Sequence, residues 1–299
     1  MSTSDNAMGI SELSTGRKMV RRSFWWKFRR HKMALAGFIL FGILSGSALF
    51  APWISWHDPN MIDLDFANQG PSLSYPIGTD KGGRDLFARL LDAGRISVMV
   101  GISAALISAG IGTLLGLISG YVGGWLDNFI QRFTELVMTF PTLFAVIIMV
   151  AIIGPSVFNV IAVIGILGWT GKCRLVRGQV LSLREMEYVT AARSLGARTP
   201  RLLFLHVLPG VLPYVALAST TTIGGAILTE ASLSFLGLGV QPPQASWGNL
   251  MTAAQSLHVL QNKWWIWIPP GLAISLTVMS TFFIADGLLP VDVVETTRR

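Results

Sequence analysis

Six runs of predominantly apolar residues recur along this chain, at residues 34–56, 96–121, 136–153, 157–171, 211–236 and 264–285. A helix rising ~1.5 Å per residue needs about 20 such residues to cross a hydrocarbon core of ~30 Å. Within lipid every backbone N–H and C=O must be satisfied internally, so runs of this length are constrained to be helices. Composition agrees, because 52% hydrophobic and only 13% charged residues provide more apolar surface than one soluble core can bury. The expected fold class is an all-α integral membrane protein with six transmembrane helices.

The run at 157–171 is short, but Lys172 and Arg174 have long stems that can snorkel to an interface while the helix continues. Gly154-Pro155-Ser156 reads as a tight turn, making the third and fourth spans antiparallel neighbours. Six spans put both termini on one side of the membrane. All but Lys81, Arg84, Arg89, Arg95 and Lys263 of the 23 Lys and Arg fall on the two tails or on the second-to-third and fourth-to-fifth loops. Both termini are therefore expected in the cytoplasm. Trp25, Trp26, Trp53, Trp56, Trp125, Trp169, Trp264, Trp265 and Trp267 fall near span ends, where an indole keeps its body in lipid and its N–H in water.

Several function classes lose support. A net charge of +7 would suit nucleic acid, but here it follows from membrane topology and implies no nucleic-acid partner. A cleaved leader is the competing reading of 34–50; the long preceding tail and the missing small-x-small site argue against it. The lone Cys173 excludes an internal disulfide and any multi-cysteine metal site. His31, His57, His206 and His258 show no paired-ligand spacing, so no metal site is expected.

Between the first two spans, residues 57–76 are rich in Pro, Asp, Asn and Ser and read as an ordered extracytoplasmic loop. Glycines and Asp85 then precede LFARLL, which suggests an interfacial helix leading into the second span. Asp80, Arg84 and Asp85 are either an outer-face contact or gate, or a turn with a helix cap.

The longest loop on the other side carries the most information. Residues 179–195 suit a helix, Gly196 a left-handed stop, and Thr199-Pro200 the start of a second helix that runs through RLLFLHVL into Pro209. Small Ala191 and Ala192 allow close approach of another backbone, while Arg193, Arg198 and Arg201 offer charge-assisted hydrogen bonds. A docking hairpin and a solvated, positive-inside loop both fit that composition.

AARSLGA followed by HVLP resembles the cytoplasmic coupling loop of ABC importer permeases, in the version found in the oligopeptide, dipeptide and nickel family. GTDKGGRDLFARLLDAGRISV, GYVGGWLDN, residues 174–193 and EASLSFLGLGVQPPQASWGNL resemble that family in the same order, so the likeness covers residues 33–286. The chain departs from the pattern at Thr190, where the generic loop has Glu and Glu187 stands three residues earlier. It departs again at His206, at Gly210 and in the closing ADGLLPVDV.

The resemblance implies a type I importer permease in the bacterial inner membrane, a multi-pass subunit forming half of a translocation pathway. Its implied partners are a homologous second permease, two ATPase subunits that carry Mg–ATP, an extracytoplasmic substrate-binding protein and the lipid bilayer. Matching positions imply coupling roles for Ala191, Ala192, Gly196, Leu208 and Pro209, beside Glu187 and Thr190, with Arg193, Arg198 and Arg201 as contacts. Di- or oligopeptides are the cargo the resemblance favours, and the sequence does not separate them from nickel or opine-like solutes. In domain terms the chain divides into a basic tail (1–33), a first span (34–56), an outer loop (57–94), a five-helix core (95–288) with the coupling loop at 179–209, and a tail (289–299).

No ATP site or cofactor is expected on the chain itself. The nearest approach to a phosphate loop, GWTGKC, has Ile166 where the first Gly belongs and Cys173 where Ser or Thr belongs. Glu230 lies roughly 28 Å along the fifth span and Asp286 roughly 33 Å along the sixth, near opposite membrane faces and away from the midplane. That placement weighs against the alternative, a proton-driven secondary transporter or channel. Thr220, Thr221 and Thr222 either line a polar pathway or let helices pack closely.

Overall fold

A computed structural model describes residues 31–288. The expectations for most of the amino tail, Trp25 and Trp26 included, and for the carboxyl tail lie outside the described residues. Every regular element among those described is helical.

The first span is α1 (Lys32–Leu49), with a single further turn at Ala51–Ile54. His31 caps it, Nδ1 accepting from the Ala34 N–H at 3.1 Å. The loop that follows runs through a 3₁₀ turn at Leu64–Phe66 to α2 (Leu86–Val122). No separate interfacial helix precedes the second span, because LFARLL forms the first turns of one unbroken 37-residue helix. Nothing between Leu86 and Arg95 interrupts the backbone ladder, and Asp85 starts it by accepting the Phe87 N–H at 2.8 Å.

The third span is not the straight helix its hydropathy suggests. Two helices, α3 (Gly124–Thr139) and α4 (Thr142–Ile153), meet at a bend of 83°. Pro141 disfavours helical backbone at Phe140, which is extended at φ −84° and ψ 132°. Among the described residues five helical stretches are long and apolar enough to cross a membrane, and six if this bent pair counts as one. Gly154–Ser156 then folds α5 (Val157–Leu167) against α4, burying Val146 and Val150 with Val157, Val160 and Val163.

Helix continues after a short interruption at Gly168–Trp169 as α6 (Thr170–Leu183), so the chain beyond residue 171 is helix and not loop, and it prolongs the apolar stretch Val157–Leu183. The expected helix at 179–195 is broken at residues 184–186, and α7 (Glu187–Ser194) turns back so that Val189 joins Val176 and Val180 in one apolar cluster. A turn at Thr199–Arg201 and a π-helical turn at Leu202–Val207 lead directly into α8 (Leu208–Phe235). Pro209 therefore does not end the second helix of the hairpin. The wider π turn, in which the Leu208 N–H reaches Leu203 O, accommodates a residue without an N–H.

A loop with two short helices, α9 (Trp247–Met251) and α10 (Leu257–Asn262), precedes α11 (Trp264–Gly287). The most extensive interhelical contact lies between α2 and α6. A Cβ at Gly112, Gly116 or Gly120 would stand 2.7–2.9 Å from the carbonyl oxygens of Trp169, Cys173 and Arg177. Small residues four apart thus let the two backbones touch, the usual source of helix association where lipid supplies no hydrophobic drive.

Candidate functional site

The α7 hairpin is a rigid projection with an exposed tip. Its turn closes through two backbone bonds, Gly196 N–H to Arg193 O at 3.0 Å and Ala197 N–H to Ala192 O at 3.1 Å. This Schellman arrangement needs left-handed backbone at Gly196, where φ is +81°. One face of the hairpin is anchored: Val189 and Leu202 are buried, and Ala192, Ala197 and Leu208 pack on the cluster formed by Val176, Val180 and Val211. The opposite face is open, with Glu187, Ala191, Arg193, Gly196, Arg198, Arg201 and Pro209 all exposed.

Not every residue assigned to that face points outward. Thr190 returns its hydroxyl to Glu187 O at 2.9 Å, and the Arg193 guanidinium lies 5.6 Å above the Tyr121 ring at the end of α2. Arg198 and Arg201 have no ion pair among the described residues. The most prominent apolar side chain is Leu195, 88% exposed. Sequence reasoning passed over it as one more apolar position in a helix, although its place just before the Gly stop puts it at the tip.

Asp80, Arg84 and Asp85 are brought together, but by inward-facing bonds. Asp80 accepts from the Gly82 and Arg84 N–H groups at 2.8 and 3.1 Å and from Arg84 Nε at 2.8 Å. Asp85 caps α2 and pairs with His57 Nδ1 at 2.8 Å. Both carboxylates are buried, which is the geometry of a turn and cap.

Thr220, Thr221 and Thr222 bond back to Ala216 O, Ala218 O and Ala218 O of their own helix. Thr222 does more, because it also accepts from Lys172 Nζ at 2.6 Å, while Ser108 accepts from the same ammonium at 2.8 Å. Lys172 is only 4% exposed. It does not snorkel: its stem points inward from α6 to join α2 and α8. Trp169, expected at an interface, is likewise buried, stacked on Phe133.

Glu230 occupies the late turns of α8 as expected, but fully buried. Ser97 and Ser234 donate to it at 3.2 and 2.6 Å, and these hydroxyls in turn accept the Trp247 and Val240 N–H groups at 3.1 and 3.2 Å. A carboxylate on α8 thereby holds the irregular loop before α9 in place.

A polar groove was missed altogether. It has a volume of about 520 Å³ between α3 and α6 and is lined by Asn128, Gln131, Arg132, Glu135, Arg174 and Arg177. Beside it Arg177 grips Asp127 through two bonds of 2.6 Å. The signal was present, since polar side chains at 127, 128, 131, 132 and 135 recur at helical spacing within an otherwise apolar segment.

Together these features define a multi-pass membrane protein with ionisable groups among its spans and an exposed hairpin anchored on two of them. Residues 112–291 match the family described as binding-protein-dependent transport system inner membrane component, and residues 21–71 match the N-terminal TM domain of oligopeptide transport permease C. A Brucella suis protein named as a peptide permease is 41% identical over 262 residues, which cover 88% of this chain and 87% of that one. The glutathione transport system permease protein GsiD of Escherichia coli is 40% identical over 266 residues, 89% and 87% of the two chains. The chain belongs to the binding-protein-dependent inner membrane component family, as an ABC importer permease of the oligopeptide and dipeptide type.

Proposed function

We propose that this chain forms half of the translocation pathway of an ATP-driven importer for di- or oligopeptides in a bacterial inner membrane, with both termini cytoplasmic. It pairs with a homologous second permease. Two ATPase subunits supply hydrolysis of Mg–ATP, and an extracytoplasmic binding protein delivers cargo. Its similarity to proteins named as peptide and glutathione permeases supports the cargo class, glutathione being itself a tripeptide.

The observation that carries the coupling role is the two-sided hairpin. Leu195, Arg198 and Arg201 project from the tip, while Val189 is lodged against Val176 and Val180 of α6 and Val211 of α8. A close-packed cluster transmits displacement instead of absorbing it, so ATPase closure against the tip shifts α6 and α8 together. Thr190 and Arg193 keep the hairpin's shape, through the Glu187 carbonyl and the Tyr121 ring, more than they offer contacts.

The test is uptake by the complete importer in proteoliposomes carrying Leu195→Asp. Peptide import is expected to fall at least about tenfold, as for a lost interface anchor, with cargo capture by the binding protein unchanged. Unchanged import would remove the coupling role. Import that survives ATP depletion but collapses with the proton gradient would instead establish a secondary transporter.

A further inference from the structure

Four ionisable side chains of the α3–α6 groove stand open on the surface of two helices that belong to apolar stretches of membrane-spanning length. Arg132 is 84% exposed, Glu135 49% and Arg174 43%, and Arg177 is partly exposed at 31%. Arg174 lies nine residues before the end of α6 within the 27-residue stretch Val157–Leu183, about 14 Å of helix from its α7-bearing end. Charged groups within a bilayer are not left facing hydrocarbon; they face protein or line a water-filled passage, where they mark routes for substrates. The groove is a concave space of about 520 Å³, large enough for part of a small peptide.

Its charges do not balance among the described residues. Arg177 is neutralised by Asp127, which holds it through two bonds of 2.6 Å. That leaves Glu135 to serve two guanidinium groups, Arg132 at 3.0 Å and Arg174 at 4.0 Å. One positive charge remains over, and the longer contact is the one to Arg174. Beside it are two amides: Gln131 uses Nε2 on Ser119 Oγ at 3.0 Å, leaving its oxygen to accept, and the Asn128 side chain has no hydrogen-bond partner among the described residues.

We infer that this groove is a carboxylate-binding station on the import pathway: Arg174, with Arg132, receives the terminal carboxylate of a peptide cargo while Asn128 and Gln131 meet its amide groups. A guanidinium suits this task because its planar fork matches a carboxylate with two parallel bonds. The inference rests on the reading of the chain as a peptide importer subunit. It places part of the pathway on α3 and α6, away from the Thr220–222 stretch of α8.

The experiment uses the whole importer in proteoliposomes and two forms of one peptide, with a free and an amidated carboxyl terminus, chosen so that the binding protein captures both alike. Arg174→Gln is expected to lower uptake of the free-carboxylate peptide about tenfold and that of the amidated form less than about twofold. ATP hydrolysis stimulated by the binding protein should persist, and Arg174→Lys should restore only part of the loss, since it returns the charge without the planar fork. Equal losses for both peptides, or none for either, would overturn the site. So would a wild-type preference that vanishes when anionic lipids are replaced by zwitterionic ones, because the groove would then be holding a lipid headgroup. A wild-type complex that moves neither peptide would overturn the cargo reading and this inference with it.

Discussion

Lys172 Nζ lies 2.6 Å from Thr222 Oγ1, joining α6 to α8 by a charged hydrogen bond in the buried interior, with Ser108 of α2 completing the contact at 2.8 Å. No carboxylate pairs with this ammonium among the described residues. A buried charge held only by hydroxyls is weakly compensated, and its hydroxyl partners have acceptors of their own, Ala105 O and Ala218 O. Lys172→Met is therefore expected to leave the melting temperature of the purified permease pair unchanged or raised. Lys172→Ala should instead lose about 2–3 kcal/mol through the cavity it opens. A marked loss of stability in the Met variant would show that the ammonium stabilises the fold.

The Arg177–Asp127 pair ties α6 to the start of α3 in bidentate geometry, but Arg177 is 31% exposed and solvent weakens it. A double-mutant cycle of Asp127→Ala and Arg177→Ala, read by thermal unfolding of the reconstituted complex, is expected to give a coupling of about 1–2 kcal/mol. Purely additive losses would mean that the pair contributes nothing specific.

Gly196 has open space around a would-be Cβ but a φ of +81°. The demand is conformational, not steric, so residues should rank by their tolerance of left-handed backbone. Gly196→Asn should retain most uptake, whereas Gly196→Val, which carries a penalty of about 1–2 kcal/mol, should reduce it severely. Binding-protein capture should be normal in both. Equal uptake by the two variants would show that the turn needs no left-handed residue.

Gly116 is the middle step of the small-residue ladder, where an added Cβ would meet Cys173 O and Val176 Cβ at 2.7 Å. Even Gly116→Ala must push α2 from α6, and Gly116→Leu is expected to destabilise the subunit by about 3 kcal/mol or more. Fluorescence-detected gel filtration after graded heating would read the loss. Wild-type behaviour of the Leu variant would contradict the close backbone approach.

Local signals carried far in this chain. The Gly196 stop, the Asp85 cap and the Gly154–Ser156 turn each depend on a few neighbouring residues, and each is found where those residues stand. Pro141 was equally local but went unread, because hydropathy averages side chains and does not register what a proline does to the residue before it. The site was less legible than the fold. Lys172, read as snorkelling to an interface, faces inward, and residues 128–135 with 174 and 177 form a groove only because α3 and α6 lie side by side.

What the sequence determined by itself is the solvent and the kind of structure: apolar runs of bilayer length must become helices, since lipid offers no other partner for the backbone. Tertiary structure alone decided which polar groups meet. Ser108 and Lys172 are 64 residues apart, and Lys172 and Thr222, like Asp127 and Arg177, are 50 apart. Their meeting depends on how each helix is rotated about its axis and how closely it approaches the next. Periodicity marks a helix face, but the packing of Gly112, Gly116 and Gly120 against the α6 backbone sets where that face points.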